Sequence, residues 1–260
     1  MARLFASGSS EYLKHSSKVN PNYPYTCVGY FRTNTLPDQS CIISFSDDSA
    51  GGTTGQDAVT ISSNTGIASG SYLTCWSRRG AGSSTIDPYL AAASTTCTVD
   101  TWHSFVAVWA SESSRAIYLD GANSGTNADP IDSTTGINAV DVGRLGDSTD
   151  NLYFNGDIAE IGVYNYAFSA ADAAAFSNFI SPLLFRPDAL VAYWPINGTN
   201  SPEISPVGGF DLSVNATPLK SAHPRIIQPS SQILQFPPAA ASGGVFDIFS
   251  PGIITGAPAL

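Results

Sequence analysis

Charge is scarce in this sequence. Only 12% of its 260 residues are Asp, Glu, Lys or Arg, about half the usual share. What charge there is leans acidic, with 21 acidic against 11 basic residues and a net charge of −10. No basic cluster is present beyond the pair Arg78-Arg79. A phosphate backbone would be repelled and would find no footprint, so nucleic acid is not an expected partner. No apolar run reaches the length of a membrane span, so no membrane is expected either. The opening MARLFASGSSEYLKH has no apolar h-region, and synthesis and folding in a cytosol without a signal peptide are expected.

Groups that do chemistry are also few. Glutamate occurs four times, as Glu11, Glu112, Glu160 and Glu203, and histidine three times, as His15, His103 and His223. A glycosidase needs two carboxylates flanking the bond it breaks. No such spacing occurs, and His103 has no Ser/Asp constellation near it in sequence. No glycine-rich loop leads into a helix, which removes phosphate cradling. Catalysis is therefore not expected. Cys27, Cys41, Cys75 and Cys97 form no CxxC pair, and no His lies at zinc-ligand spacing. They read as small buried hydrophobes, with a disulfide such as Cys27–Cys41 as the alternative. No cofactor is expected.

Apolar and turn-forming residues make up the remainder. The chain is 43% hydrophobic, with 23 Gly and 17 Pro. Short β-branched and aromatic runs alternate with turn clusters, as in YTCVGYFRT, SCIISFSDD, DAVTISSN and GSYLTCWSRRG. In WHSFVAVWASESSRAIYLDGANSG, the runs 102–109 and 116–119 flank a polar turn, and Asp120-Gly121 closes the second strand. One helix is expected, over 169–180. Ser169 stands at its N-cap with Asp172 three residues on, and Phe176, Phe179 and Ile180 form a stripe for docking on a sheet edge.

Three stretches together resemble the laminin-G-like, concanavalin-A-like jelly roll. TWHSFVAVWASESSRAIYLDG has that family's Trp-led strand, turn and Asp-Gly ending. VGRLGDSTDNLYFNGDIAEIGVYNYAFSAADAAAF is similar to its Gly-Arg turn, its strand with a central Glu and its short helix. LFASGSSEYLKH is similar to its first strand. The resemblance implies an all-β antiparallel jelly-roll sandwich with one short helix and a concave face. Function does not follow from that fold. Glu160 reads as a strand residue bonding a neighbouring backbone or Arg. Trp102 reads as a packing residue.

Two kinds of ligand fit loops of this fold. Asp147, Asp150 and Asp157 lie in one oxygen-rich segment that admits calcium, although not with EF-hand spacing. Tyr72, Trp76 and Tyr89 are the aromatics available for glycan contact.

The last stretch differs. ALVAYWPINGTNSPEISPVGGFDLSVNATPLKSAHPRIIQPSS resembles a segment that follows such jelly rolls in phage and phage-like proteins. Beyond it, charge almost disappears and prolines crowd. The organisation expected is a core over 1–181, a strand extension over 182–222 and an extended arm over 223–260. The arm carries Ile226, Ile227, Ile233, Leu234, Phe236, Phe246, Ile248, Phe249, Ile253 and Ile254. Burying ten such side chains yields roughly 15–30 kcal/mol, while ordering the backbone costs roughly 1–2 kcal/mol per residue. An ordered arm thus needs a ready-made surface, its own sandwich or a neighbouring subunit. The reading that follows is a non-enzymatic phage structural protein, a capsid decoration or tail-associated protein on the outer surface of the virion. Its partners would be a major capsid or tail protein, copies of itself and host-surface glycans. The alternative is a carbohydrate-binding, lectin-like adhesion module.

Overall fold

In the computed structural model, the runs of β-branched and aromatic residues form fifteen strands among the described residues. The structure describes residues 1–19, 22–36, 39–48, 55–63, 70–79, 90–131, 136–146 and 152–228. They are β1 (Ala2–Phe5), β2 (Tyr12–His15), β3 (Tyr25–Thr33), β4 (Gln39–Ser46), β5 (Gly55–Ser62), β6 (Tyr72–Arg79), β7 (Leu90–Thr96), β8 (His103–Ser111), β9 (Ser114–Leu119), β10 (Asn123–Asn127), β11 (Ala139–Val142) and β12 (Gly156–Tyr164). After the helix α1 (Ala170–Phe176) come β13 (Leu190–Trp194), β14 (Ser213–Asn215) and β15 (Leu219–Ser221).

The strands make two antiparallel sheets. One has eight strands in the order β10-β9-β8-β3-β12-β1-β15, with β13 also paired to β12. The other has seven, in the order β14-β2-β11-β4-β5-β6-β7. This is the expected all-β sandwich. The alternation of side chains along each strand sends one set of apolar residues between the sheets. Phe31, Phe105, Trp109, Ile158 and Trp194 come from the eight-stranded sheet and meet Phe45, Val59, Leu73, Val140 and Val142 from the other. Tyr25 stacks on Trp109 with centroids 4.9 Å apart. Gly29 is required here, because a Cβ at that position would come within 2.8 Å of the Phe105 ring. All four cysteines are buried and free. Burial pushes the Cys97 thiol up to about 12, and Cys27 and Cys75 are raised further.

The outer face of the eight-stranded sheet is apolar as well. Val28, Tyr30, Val106, Val108 and Tyr164 project there and are covered by Phe168, Phe176, Phe179 and Phe185. The helix carries the expected capping box, with Ser169 and Asp172 bonding each other's backbone. It is shorter than expected. Ser177 caps it, and Phe179 turns into the left-handed region at φ 57°. Phe176 and Phe179 then stack on Tyr30 at 5.1 and 5.0 Å. They seal the sheet's face, not its edge, while Ile180 leaves the helical path and bridges to Ile227.

That bridge places residues 223–228 with the body of the protein. The chain divides into two units, Met1–Pro229 and Ser230–Leu260. Ile227 N–H donates to Phe179 O (2.7 Å), and Ser181 N–H donates to Ile227 O (2.8 Å). Ile226 packs on the apolar outer face, and Ile227 is 58% exposed. The composition changes at residue 223, but attachment to the sandwich continues through 228. The other eight apolar arm residues, Ile233, Leu234, Phe236, Phe246, Ile248, Phe249, Ile253 and Ile254, lie outside the described residues.

Candidate functional site

The outer face of the seven-stranded sheet is built differently. Strand register aligns one row across it: Ser213, Lys14, Asp141, Ser44, Ala58, Trp76 and Leu90. The row runs from charged to apolar. At its β6 end Trp76 is 0% exposed, packed with Cys41, Ala58 and Leu145 and against Leu90 and Leu152. Its indole N–H donates to Thr60 Oγ1 at 3.2 Å. Tyr72 is buried too. The two aromatics expected to meet glycans therefore offer no free ring, because Leu145 and Leu152 pack over Trp76. Tyr89 lies outside the described residues.

The other end of the row stays accessible. Tyr12 and Tyr153 are half-buried, with ring centroids 6.4 Å apart. The Arg144 guanidinium sits 3.5 Å from the Tyr12 centroid, within cation–π range. Asn215 Nδ2 donates to the Tyr12 hydroxyl at 2.7 Å. Lys14 bonds Asp48, which is exposed. Two half-buried rings, an amide, an ammonium and a carboxylate thus share one surface, backed by the buried Arg144 guanidinium.

Asp141 lies under this patch. Arg144 Nε donates to its Oδ1 at 2.8 Å, and its Oδ2 has no hydrogen-bond partner among the described residues. Gly146 lies so close that a Cβ there would come 2.1 Å from Oδ2. Burial raises the Asp141 carboxyl from 3.8 to about 6, against the pull of Arg144. Of the residues read as calcium ligands, Asp147 and Asp150 lie outside the described residues. Asp157 is buried in the other sheet, 2.7 Å from Arg32 Nη2. No group of three His, Cys, Asp or Glu side chains converges among the described residues.

Three of the four glutamates hold structure together. Glu11 accepts the Ala6 N–H at 2.7 Å, and Glu203 is paired with Arg3 at 3.0 Å. Glu160 is fully buried and sits at φ 56° in a β-bulge of β12. It accepts from Tyr193 Oη (2.8 Å), Ser181 Oγ (3.0 Å) and Gln228 Nε2 (3.5 Å), and lies 3.2 Å from His223 Nε2. Its partners are side chains from later segments, not the neighbouring backbone or Arg expected. Burial and the Glu160 charge keep the Tyr193 phenol well above its ordinary range, so it remains a donor.

A His-centred line also emerges that the sequence had not suggested. His103 Nδ1 lies 2.7 Å from Asp120 Oδ2, and its Nε2 lies 2.9 Å from Thr98 Oγ1. The Thr98 backbone N–H donates to the same Nε2 at 3.2 Å, and Asp120 Oδ1 accepts from Ser104 N–H at 2.9 Å. The ring braces the start of β8 against the turn after β9. The one cue in the sequence was Asp120-Gly121 facing the base of the Trp102-led strand.

Known structures share this architecture at low identity. A Bacteroides ovatus protein provisionally described as carbohydrate-binding superposes with a TM-score of 0.58 at 16% identity. It covers 83% of this chain, which spans 58% of that protein's length. The CBM40 of the Ruminococcus gnavus IT-sialidase, bound to α2,3-sialyllactose, gives 0.51 at 14%, covering 68% of this chain and 97% of its own. Tailspike protein 2 of the Escherichia coli O157:H7 bacteriophage CAB120 gives 0.50 at 12%, covering 75% and 26%. No curated protein matches the sequence. The model of the laminin-G type for the concanavalin A-like lectin/glucanases superfamily matches residues 7–174, more than half of the chain. Two antiparallel sheets, one short capped helix and that match agree, and the chain belongs to the concanavalin A-like lectin/glucanase superfamily.

Proposed function

We propose that this protein is a non-catalytic carbohydrate-binding sandwich that holds glycans on the charged end of its seven-stranded sheet. The carrying observation is the Tyr12–Arg144–Tyr153 cluster flanked by Lys14, Asp48 and Asn215. A sugar offers an apolar C–H face and an edge of hydroxyls. Aromatic rings meet the first, and donors and acceptors fixed by neighbours meet the second. The carbohydrate-binding neighbours support the same reading. So does the engagement of Glu11, Glu160 and Glu203 in structural bonds, which leaves no glutamate pair for glycosidic chemistry among the described residues. A glycan array tests it: wild type binds a defined set of oligosaccharides, and Tyr12→Ala with Tyr153→Ala lowers that binding at least tenfold. An array without hits for the wild type would remove the reading.

A second reading, a virion structural protein whose arm ties it into a particle, is favoured by one observation. Residues 223–228, the start of the stretch read as an assembly arm, are bonded to the sandwich through Ile227 and His223. Removal of residues 229–260 tests it. The truncated protein stays folded and fails to enter particles or oligomers. Normal incorporation would sink this reading and leave the glycan reading untouched.

A further inference from the structure

The extension over 182–222 does more than add strands. After β14 has paired with β2 in one sheet, the chain crosses to pair β15 with β1 in the other. Between that crossover and the loop 198–201 lies an open cleft of about 430 Å³, within the size range of small-molecule sites. Val214, Pro218 and Leu219 give it apolar wall, and Thr199, Asn200, Ser201 and Thr217 give it polar wall. Apart from Arg3, every lining residue lies after the segment 7–174 that defines the family.

Arg3 sets the chemistry. Its side chain is 4% exposed. Nε and Nη2 both donate to Glu203 Oε2, at 3.1 and 3.0 Å, and Nη2 also donates to the Asn200 carbonyl. Nη1 has no hydrogen-bond partner among the described residues, although Arg3 lines the cleft. Lys220 stands opposite, exposed and without an ion pair among the described residues. The two stems converge on Gly198, where a Cβ would meet Arg3 Cγ and Lys220 Cγ at 3.2 Å each. Gly198 also has φ 69°, so the loop passes there only without a side chain. Two cations against one carboxylate, Glu203, leave the pocket locally positive on a chain of net charge −10. The Nη1 N–H groups of this otherwise buried guanidinium reach solvent and are free to take an anion.

We infer that this pocket binds the carboxylate of an acidic monosaccharide, with Arg3 Nη1 and Lys220 Nζ on the anion, the apolar wall against the ring and the hydroxyl-bearing wall on its edge. The inference goes beyond the glycan reading above and uses none of its residues.

The test is an NMR titration of the ¹⁵N-labelled protein with sodium glucuronate, glucose and sodium sulfate. Glucuronate is expected to shift the amides of Arg3, Gly198–Ser201 and Thr217–Lys220, and to bind at least tenfold more tightly than either glucose or sulfate. Lys220→Glu, an exposed change, is expected to weaken glucuronate at least tenfold with an unchanged melting temperature. Arg3→Lys supplies a second variant if folded. Equal binding of glucose would remove the anion from the argument, and equal binding of sulfate would remove the sugar. Absence of shifts at these amides, or an undiminished Lys220→Glu protein, would overturn the site itself. An array without hits among neutral glycans would count against the Tyr12 face alone.

Discussion

The two outer faces of this sandwich show how one fold divides its labour. Both belong to antiparallel strands whose inner side chains are apolar. On the eight-stranded sheet the outward positions are also apolar, as Val28, Tyr30, Val106 and Val108, and a helix and three further phenylalanines cover them. On the seven-stranded sheet the outward row passes from Trp76 through Ser44 and Asp141 to Lys14 and Ser213. An apolar face gains stability by being sealed. A polar face keeps its hydrogen bonds with water until a ligand replaces them. Substitutions on the first should therefore change stability, and substitutions on the second should change binding or its pH dependence.

The largest effect is expected from the seal. Phe176→Ala removes a ring stacked on Tyr30 and should cost about 3–5 kcal/mol, read by denaturant unfolding, with glycan binding intact where the protein is folded. A cost under 1 kcal/mol would show that the helix is an ornament. Next comes Glu160→Ala, which strips the shared acceptor from Tyr193, Ser181 and Gln228 and should cost about 3 kcal/mol. It should also loosen residues 223–228, read as faster amide exchange at Ile227 than in wild type. Unchanged exchange there would separate the clasp from the segment it holds.

Asp141 gives a smaller, signed effect on the polar face. Its carboxyl titrates near 3.8 when unfolded and is raised to about 6 in the fold. Between those values the native protein holds a proton that the unfolded chain has released. This group's stabilisation is therefore fully present below about pH 4 and is lost as pH rises to about 6, amounting to about 1–3 kcal/mol. Asp141→Asn should flatten that slope in melting experiments across pH 4–7, and an unaltered slope would assign it elsewhere. The smallest effect is expected from Lys14→Ala. Its partner Asp48 is exposed, so the stability loss should stay within about 0–1 kcal/mol while glycan affinity falls. Loss of stability without loss of affinity would take Lys14 out of the binding face.

The same contrast explains what could be read in the chain and what could not. The β8–β9 hairpin and the Ser169/Asp172 capping box were legible because each is closed by residues a few positions apart. The all-β class followed from strand-length apolar runs. Glu160 was legible as a structural residue but not by its partners, which come from positions 181, 193, 223 and 228. Trp76 looked available because its strand offers one face outward, and only the packing of Leu145 and Leu152 shows that this position is covered. Arg3 and Glu203 lie 200 residues apart, and no local pattern links them.

By itself, the sequence determined the antiparallel sandwich, the single short helix with its cap, and the lack of a basic surface for nucleic acid. Those follow from side-chain period, turn chemistry and charge balance, which act within a few residues or over the whole composition. Only the tertiary structure decided which outer face is sealed, which aromatics stay accessible, and that the crossover from β14 to β15 borders an open cleft lined by Arg3 and Lys220. Burial and hydrogen-bond pairing depend on which distant segments meet, and strand register fixes that only once both sheets have formed.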